Sequence, residues 1–235
     1  SDSTSTDTAL EQTLERLTRT DWSRIAVLLV LAVFGNIIFW AAFEQAGSSM
    51  SLFAENSTNL ALPSLGWSMP SSWFQSANPL FIALLAPFFS ILWVKLSRAG
   101  REPSTPMKFA CGMFFVSLGF GAMVVAGQLY DQSGPVSMFW LTAAYFLNTC
   151  GELCVSPVGL SAVTKLAPPR YASVGMGLWF ASMAIANWFS GQFAGEYESM
   201  SKALFFSVPA IMAGVAALVL FALVRPLRKM MHGVH

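Results

Sequence analysis

Two carboxylates, Glu44 and Glu152, stand alone inside long apolar stretches of this 235-residue sequence. Apolar stretches of about 20 residues match the thickness of a bilayer. A charge at mid-bilayer depth costs roughly 2.5–3.5 kcal/mol on the lenient insertion scale. Such a residue faces a cavity or a partner, or it is protonated. Burial raises a carboxyl pKa, and a nearby cation lowers it. A Glu that alternates between those surroundings carries a proton. The same residue also fits a structural role, hydrogen-bonding a neighbouring helix, and for a Glu taken alone both readings stay open. Other chemistry is excluded by what is missing. Both histidines, His232 and His235, lie in the tail, so none can serve as base or ligand inside the apolar stretches. The GxSxG, HExxH and P-loop patterns do not occur. The expectation is no catalytic residue, no metal site and no cofactor.

Context favours a functional reading of Glu152. Tyr145, Asn148, Glu152 and Ser156 recur at i, i+3, i+7 and i+11 and share one helical face. A polar stripe through an apolar stretch is the pattern of a helix lining a watery path. Pro157 follows at once and has no N–H for the Leu153 carbonyl, so a kink is expected there. Irregular backbone at membrane depth is tolerated where it lines a cavity. Core packing of the whole stripe is the alternative. Around Glu44, the residues Asn36, Trp40, Glu44 and Ser48 step by four and form a second stripe. Asn78 opens the next apolar stretch, and Pro87 can kink it. Trp179, Ser182, Ala186 and Ser190 share a face further on, where a Gly191–Gly195 GxxxG is expected to mark close helix packing. The three cysteines, Cys111, Cys150 and Cys154, read as small apolar packers.

The elements that must position these residues follow from composition. The chain is 55% hydrophobic and only 11% charged, with a mean hydropathy of +0.58. A soluble domain carries about 25% charged residues and needs a wettable surface. A soluble enzyme and a disordered chain are excluded, and a net charge of +1 leaves no basic excess for nucleic acid. Six apolar stretches run from about Ile25 to Ala54, Asn78 to Leu96, Phe109 to Leu129, Met138 to Leu166, Ala172 to Gly195, and Ala203 to Val224. Each reaches the roughly 18-residue length of a membrane span, and none alternates as a barrel strand does. The expected class is an all-α membrane protein with six transmembrane helices. Residues 1–22 read as a cytoplasmic linker, 23–228 as the six-span bundle and 229–235 as a cytoplasmic tail.

Charge placement sets the orientation. Twelve of the 13 basic residues fall at one end of the spans, and only Lys202 falls at the other. By the positive-inside rule both termini are cytoplasmic, in a multi-pass protein of the cytoplasmic membrane. The loop from about Glu55 to Ala77 then lies outside, where Trp67 and Trp73 suit an interfacial anchor.

The stretch Gly151-Glu152-Leu153-Cys154-Val155-Ser156-Pro157-Val158-Gly159 to Pro168 resembles the signature of the proton-coupled oligopeptide transporter family of the major facilitator superfamily. Phe39-Trp40 to Gly47-Ser48-Ser49 resembles that family's seventh span, Trp73 to Pro87 its eighth, and Gly175 to Phe180 its eleventh. The match runs from about residue 24 to 225, with four motifs in order. The resemblance implies the second half of such a transporter: a C-terminal bundle of two inverted three-helix repeats facing a missing N-terminal six-helix bundle. It implies that Glu152 binds the amino terminus of a di- or tripeptide and pairs with a Lys of the other half, that Glu44 takes the coupling proton, and that Asn78 hydrogen-bonds the peptide. Trp179 and Phe180 would line side-chain pockets, with Ser182 a weaker inference; Asn148 and Ser156 join the peptide-binding set through the stripe. The family's E-x-x-E-R proton motif belongs to the missing half. Glu11, Glu15 and Arg16 are spaced one residue too far apart and lie in the polar linker. The expectation is therefore proton-coupled symport of small peptides by a transporter, not an enzyme, with protons as coupling ion, the lipid bilayer as surroundings and no nucleic acid. The alternatives are half of another major-facilitator symporter, or a non-transporting six-span subunit.

Overall fold

The computed structural model describes residues 17–62 and 66–232. Most of the expected linker, 1–16, and the end of the tail, 233–235, lie outside the described residues. The chain is built of long helices joined by short loops, and the protein is an all-α membrane protein. The first helix starts earlier than hydropathy alone suggests. Thr18 caps it: its hydroxyl accepts from the Asp21 N–H, and the Asp21 carboxylate accepts from the Thr18 N–H at 3.0 Å. This reciprocal pair satisfies two orphan donors and fixes the start.

From there one irregular helical run extends through Asn56. It comprises α1 (Arg19–Val30), a π-helical segment (Leu31–Ile37), α2 (Ile38–Phe43), a 3-10 segment (Glu44–Gly47) and α3 (Ser49–Asn56). The π segment widens the helix where Gly35 meets the Phe109 ring, leaving no room for a Cβ. The 3-10 segment then tightens it at Glu44. These changes of pitch break the step-of-four stripe. Asn36 is buried, Trp40 and Ser48 are half-buried, and Glu44 is exposed.

The loop after α3 carries two-residue strands, β1 (Thr58–Asn59), β2 (Ala61–Leu62) and β3 (Trp67–Ser68). β2 pairs antiparallel with β3, and β1 pairs in parallel with β4 (Val136–Ser137). A 3-10 turn, Ser71–Ser76, leads into α4 (Ala77–Arg98). Then come α5 (Thr105–Ser133), α6 (Met138–Leu166), α7 (Ala172–Ala194) and α8 (Lys202–Met230). α8 runs two residues past the 228 boundary expected for the bundle. A 29-residue helix such as α5 is roughly 44 Å long, more than the hydrocarbon core needs. Among the described residues, five runs are long and apolar enough to cross a membrane: Arg19–Asn56, Ser71–Arg98, and the whole of α5, α6 and α8. α7 has 23 residues and no charge, but Asn187, Gln192 and its serines and glycines dilute it below that level.

The core forms where α5 packs against α6 and α8. Glycines set the α5–α6 spacing. A Cβ on Gly112 would lie 2.9 Å from the Gly151 carbonyl oxygen, and one on Gly151 would lie 2.8 Å from that of Gly112. Only hydrogen at both positions lets the backbones approach so closely. Gly191 has open space around its Cβ position, so the expected GxxxG of α7 is not a tight contact. Small residues can touch only where a partner helix runs past them, and none does at Gly191 among the described residues. At the end of the bundle near the paired strands, Phe53, Phe205, Phe206 and Tyr197 form an edge-to-face cluster with ring centroids 5.3–5.5 Å apart. α4 stands apart from this core and has no buried residue along its length.

Candidate functional site

The site assembles where the start of α4 meets the middle of α6. Asn78 is the second residue of α4, delivered there by the Ser71–Ser76 turn. Its amide Nδ2 donates to Glu152 Oε2 at 2.8 Å and to Thr149 Oγ1 at 3.2 Å. Thr149 in turn donates to the Tyr145 carbonyl at 2.8 Å, so its oxygen is oriented to accept from Asn78. Tyr145 donates its hydroxyl to the Ala46 carbonyl at 2.9 Å, tying α6 to the 3-10 segment beside Glu44. Aromatic walls flank the seam: Phe74 stacks on Tyr145 at 6.1 Å, and Phe81 meets Phe146 edge-on at 5.6 Å.

Glu152 is half-buried, and only one of its two oxygens accepts a hydrogen bond among the described residues. The other keeps its capacity for a cationic donor. Glu44 is exposed, makes no ion pair among the described residues, and lies within electrostatic range of Glu152. Two carboxylates that make no ion pair among the described residues therefore share one region. Ser156 sits one turn beyond Glu152, half-buried. Pro157 is exposed, and α6 continues through it to Leu166. α4 likewise continues through Pro87 to Arg98. Both prolines thus lie inside continuous helices.

Other members of the expected set lie elsewhere. Asn148 is buried, and a Cβ on Gly119 of α5 would collide with its Oδ1. It sits in the α5–α6 contact and not beside Asn78, because α5 approaches closely enough at Gly119 to cover that part of the stripe. Ser182 is buried too. It accepts from Asn36 Nδ2 at 2.7 Å and donates to the Trp179 carbonyl at 2.6 Å. Trp179 packs against Gly159, edge-on to Phe109 at 6.2 Å. The face shared by Trp179, Ser182, Ala186 and Ser190 is the buried face of α7. Phe180, one residue on, is 54% exposed on a different face. Trp179 and Ser182 instead border an apolar groove of 440 Å³ between α1 and α7.

Sequence reading passed over two residues. Thr149 completes the Asn78–Glu152 group, and its one signal was its place next to the stripe. Gln45, beside Glu44, is buried and donates to the Ser190 hydroxyl at 2.9 Å and carbonyl at 3.1 Å, while accepting from Ser49 at 2.6 Å. A polar amide in an apolar run was its signal, overshadowed by the charge next to it.

Comparison with known proteins identifies the family and the fold. A model of the POT family matches residues 5–213. The chain is 36% identical over 222 residues to the uncharacterised transporter YclF of Bacillus subtilis (strain 168), covering 94% of this chain and 44% of that protein. It is 37% identical over 222 residues to the peptide transporter YePEPT of Yersinia enterocolitica, covering 92% and 43%. A di-/tripeptide transporter of Lactococcus lactis subsp. cremoris is 34% identical over 197 residues, covering 83% and 39%. Among solved structures, a peptide transporter POT in complex with sulfate superposes with a TM-score of 0.84 at 38% identity, over 93% of this chain and 43% of that one. A POT family transporter in complex with 5-aminolevulinic acid gives 0.81 at 28%, over 90% and 43%. The chain thus spans less than half the length of the relatives it matches. POT transporters are secondary carriers, not enzymes, and this chain belongs to the POT family.

Proposed function

We propose that this chain is the second half of a proton-coupled symporter of di- and tripeptides in the cytoplasmic membrane. In this reading α7 also spans the membrane, as the fifth of six spans in chain order, and both termini are cytoplasmic. A missing N-terminal six-helix bundle closes the cavity, and no cofactor takes part beyond the coupling proton. The single observation that carries the reading is Glu152, a half-buried carboxylate at mid-helix with one oxygen held by Asn78. A small zwitterion needs a carboxylate for its ammonium end and a cation for its carboxylate end. Glu152 supplies the first, and the other half supplies the second. Asn78 fixes the carboxylate's orientation without neutralising it, leaving an oxygen for the ammonium. Exposed Glu44, within electrostatic range of Glu152, takes the proton. Protonation at one carboxylate changes the field at the other, and this shifts the balance between outward- and inward-open states. The relatives named as peptide transporters support the substrate class.

The test is proton-driven uptake of a labelled dipeptide by the full-length transporter. Glu152→Gln should abolish concentrative uptake, whereas Glu44→Gln should spare peptide binding and remove the response to an imposed proton gradient. Wild-type uptake with Glu152→Gln would sink the site assignment.

A further inference from the structure

The helical run of the first span is broken beside Glu44, and a side chain from another helix holds the break. Ser48 (φ −120°, ψ −95°) leaves the helical region between the 3-10 segment and α3. The Ala46 carbonyl, inside the 3-10 segment, accepts two hydroxyls: Ser51 of the same run at 2.9 Å and Tyr145 of α6 at 2.9 Å. Two donors fill the two lone pairs of a carbonyl oxygen. A regular α-helix through the break would bring the Met50 N–H to that oxygen as a third donor. The Tyr145 bond therefore belongs to the broken form of the run and competes with the regular one. Tyr145 is 2% exposed and its ring stacks on Phe74, so its hydroxyl has no solvent to turn to.

Tyr145 also begins a track of hydrogen bonds that ends at the other carboxylate. Its carbonyl accepts from Thr149 Oγ1 at 2.8 Å, Thr149 accepts from Asn78 Nδ2 at 3.2 Å, and the same amide donates to Glu152 at 2.8 Å. The turn beside Glu44 and the group around Glu152 are thus joined through α6 by direct contacts. Of the elements packed against the turn or bonded to it, α2 and α7 carry no charged residue, and α3 carries only Glu55 at its far end. α6 brings Tyr145 and Glu152, with Lys165 in its last turn. We propose that Tyr145 is a positioning residue that couples the two carboxylates. It holds the turn beside Glu44 in its broken form and passes a change there, through α6, to the Thr149–Asn78 bond that sets Glu152. The inference rests on the roles proposed for Glu44 and Glu152, and it adds the contact through which one acts on the other.

The test compares two transport modes of the full-length transporter in vesicles. One is uptake of a labelled dipeptide driven by an imposed proton gradient. The other is exchange of labelled for unlabelled dipeptide at equal pH on both sides. Their ratio reads coupling and does not depend on the amount of folded protein. Tyr145→Phe keeps the ring and both carboxylates and removes only the hydroxyl. It should lower the ratio roughly tenfold, inside the usual range of coupling between two sites. Thr149→Val should lower it in the same direction, and this variant carries the test if Tyr145→Phe fails to fold. Ser190→Ala loosens the turn's tie to α7, where Gln45 keeps the Ser190 carbonyl, and should retain the parent's ratio. A parent-like ratio in Tyr145→Phe means that the electrostatic field alone links the carboxylates, and it overturns the proposal. An equal loss in Ser190→Ala also overturns it, because any loosening of the turn would then suffice. Glu44→Gln separates the two failures. If it keeps its response to the gradient, the functional reading falls and this inference with it. If it loses that response while Tyr145→Phe keeps it, only this inference falls.

Discussion

Two seams between helices use the same donor for different ends. Along the first span and α7, Asn36 and Gln45 reach across to Ser182 and Ser190. Between α4 and α6, Asn78 reaches across to Glu152. In both, an amide crosses from one helix to an oxygen on the next. The first seam is dry: Asn36, Gln45, Ser182 and Ser190 are all buried, and their partners are neutral. The second is half-open, and its acceptor is a carboxylate with capacity to spare. A buried amide–hydroxyl pair is closed to a ligand, because any ligand would have to break a satisfied bond without solvent to help. A half-open amide–carboxylate pair is oriented but not saturated. The difference lies in coverage and charge, not in residue type.

Substitutions in the two seams should therefore act on different readouts. The largest effect expected is on transport, in the half-open seam. If the proposed peptide site is right, Glu152→Gln removes a charge-assisted bond to the peptide ammonium worth about 1.5–3 kcal/mol, roughly ten- to hundredfold in affinity. It should leave the melting temperature near the parent's, since the amide still accepts from Asn78. Dipeptide binding by calorimetry and thermal unfolding of the same preparation decide this together. If the two fall in step, Glu152 belongs with the dry seam.

The converse is expected of Gln45→Leu. It strips Ser190 and Ser49 of a shared partner in a buried place, at a cost of about 1–2 kcal/mol. The melting temperature should fall by several degrees, while the peptide KM of the remaining folded protein stays unchanged. Asn78→Leu is intermediate. It frees Glu152 from its positioning bond, so KM should rise by about fivefold, the equivalent of one neutral hydrogen bond. Stability should barely change, because α4 buries nothing. A large loss of stability would show that Asn78 holds α4 in place.

These contrasts also explain what was legible in the sequence. Glu152 was legible because a lone charge in a long apolar helix has few explanations, and Asn78 because it opens the next span. The family and the helical class followed from motifs and composition. The roles expected of Asn148, Trp179 and Ser182 did not follow in the same way. Periodicity put Asn148 on the face of Glu152, and put Trp179 and Ser182 on one face of α7, and those faces are real. Periodicity does not say which neighbour covers a face. In a membrane helix a buried polar contact and a cavity-lining residue look alike, since both avoid lipid. Gly119 covers Asn148, and Asn36 covers Ser182. The π and 3-10 segments of the first span were illegible for a related reason. The π segment lies where the ring of Phe109 meets Gly35, a contact between residues 74 positions apart. The close pair Gly112–Gly151 is likewise a property of two helices together, while the visible GxxxG of α7 has nothing against it.

A smaller effect tests whether single bonds in the dry seam are weak. Ser182→Ala removes one acceptor from Asn36, which retains the Trp179 carbonyl at 3.4 Å. Interhelical hydrogen bonds in membranes average about 0.6 kcal/mol, so the melting temperature should drop by only a degree or two. Peptide uptake per folded molecule should equal the parent's. If uptake falls instead, Ser182 reaches the substrate, and the boundary between the seams is drawn in the wrong place.

The smallest effect comes from a contact in neither seam, the ion pair of Glu102 with Lys108. Hydrogen bonds from Lys108 and Ser97 hold the Glu102 carboxyl below its usual value of 4.5. A carboxyl depressed in the folded state binds its proton more readily when unfolded. Its contribution is therefore complete above the unfolded value and is lost as pH falls through the folded one. Because Glu102 is largely solvated, that contribution is at most about 0.5 kcal/mol. Unfolding followed from pH 6 down to pH 3 (roughly the span over which an ordinary and a depressed carboxylate titrate) should show slightly less acid sensitivity in Glu102→Gln. High salt should erase the difference, because water and ions reach this pair. It should not erase the cost of Gln45→Leu, where neither charge nor solvent is involved. A salt-insensitive Glu102 effect would mean that the basic end is as dry as the first-span seam.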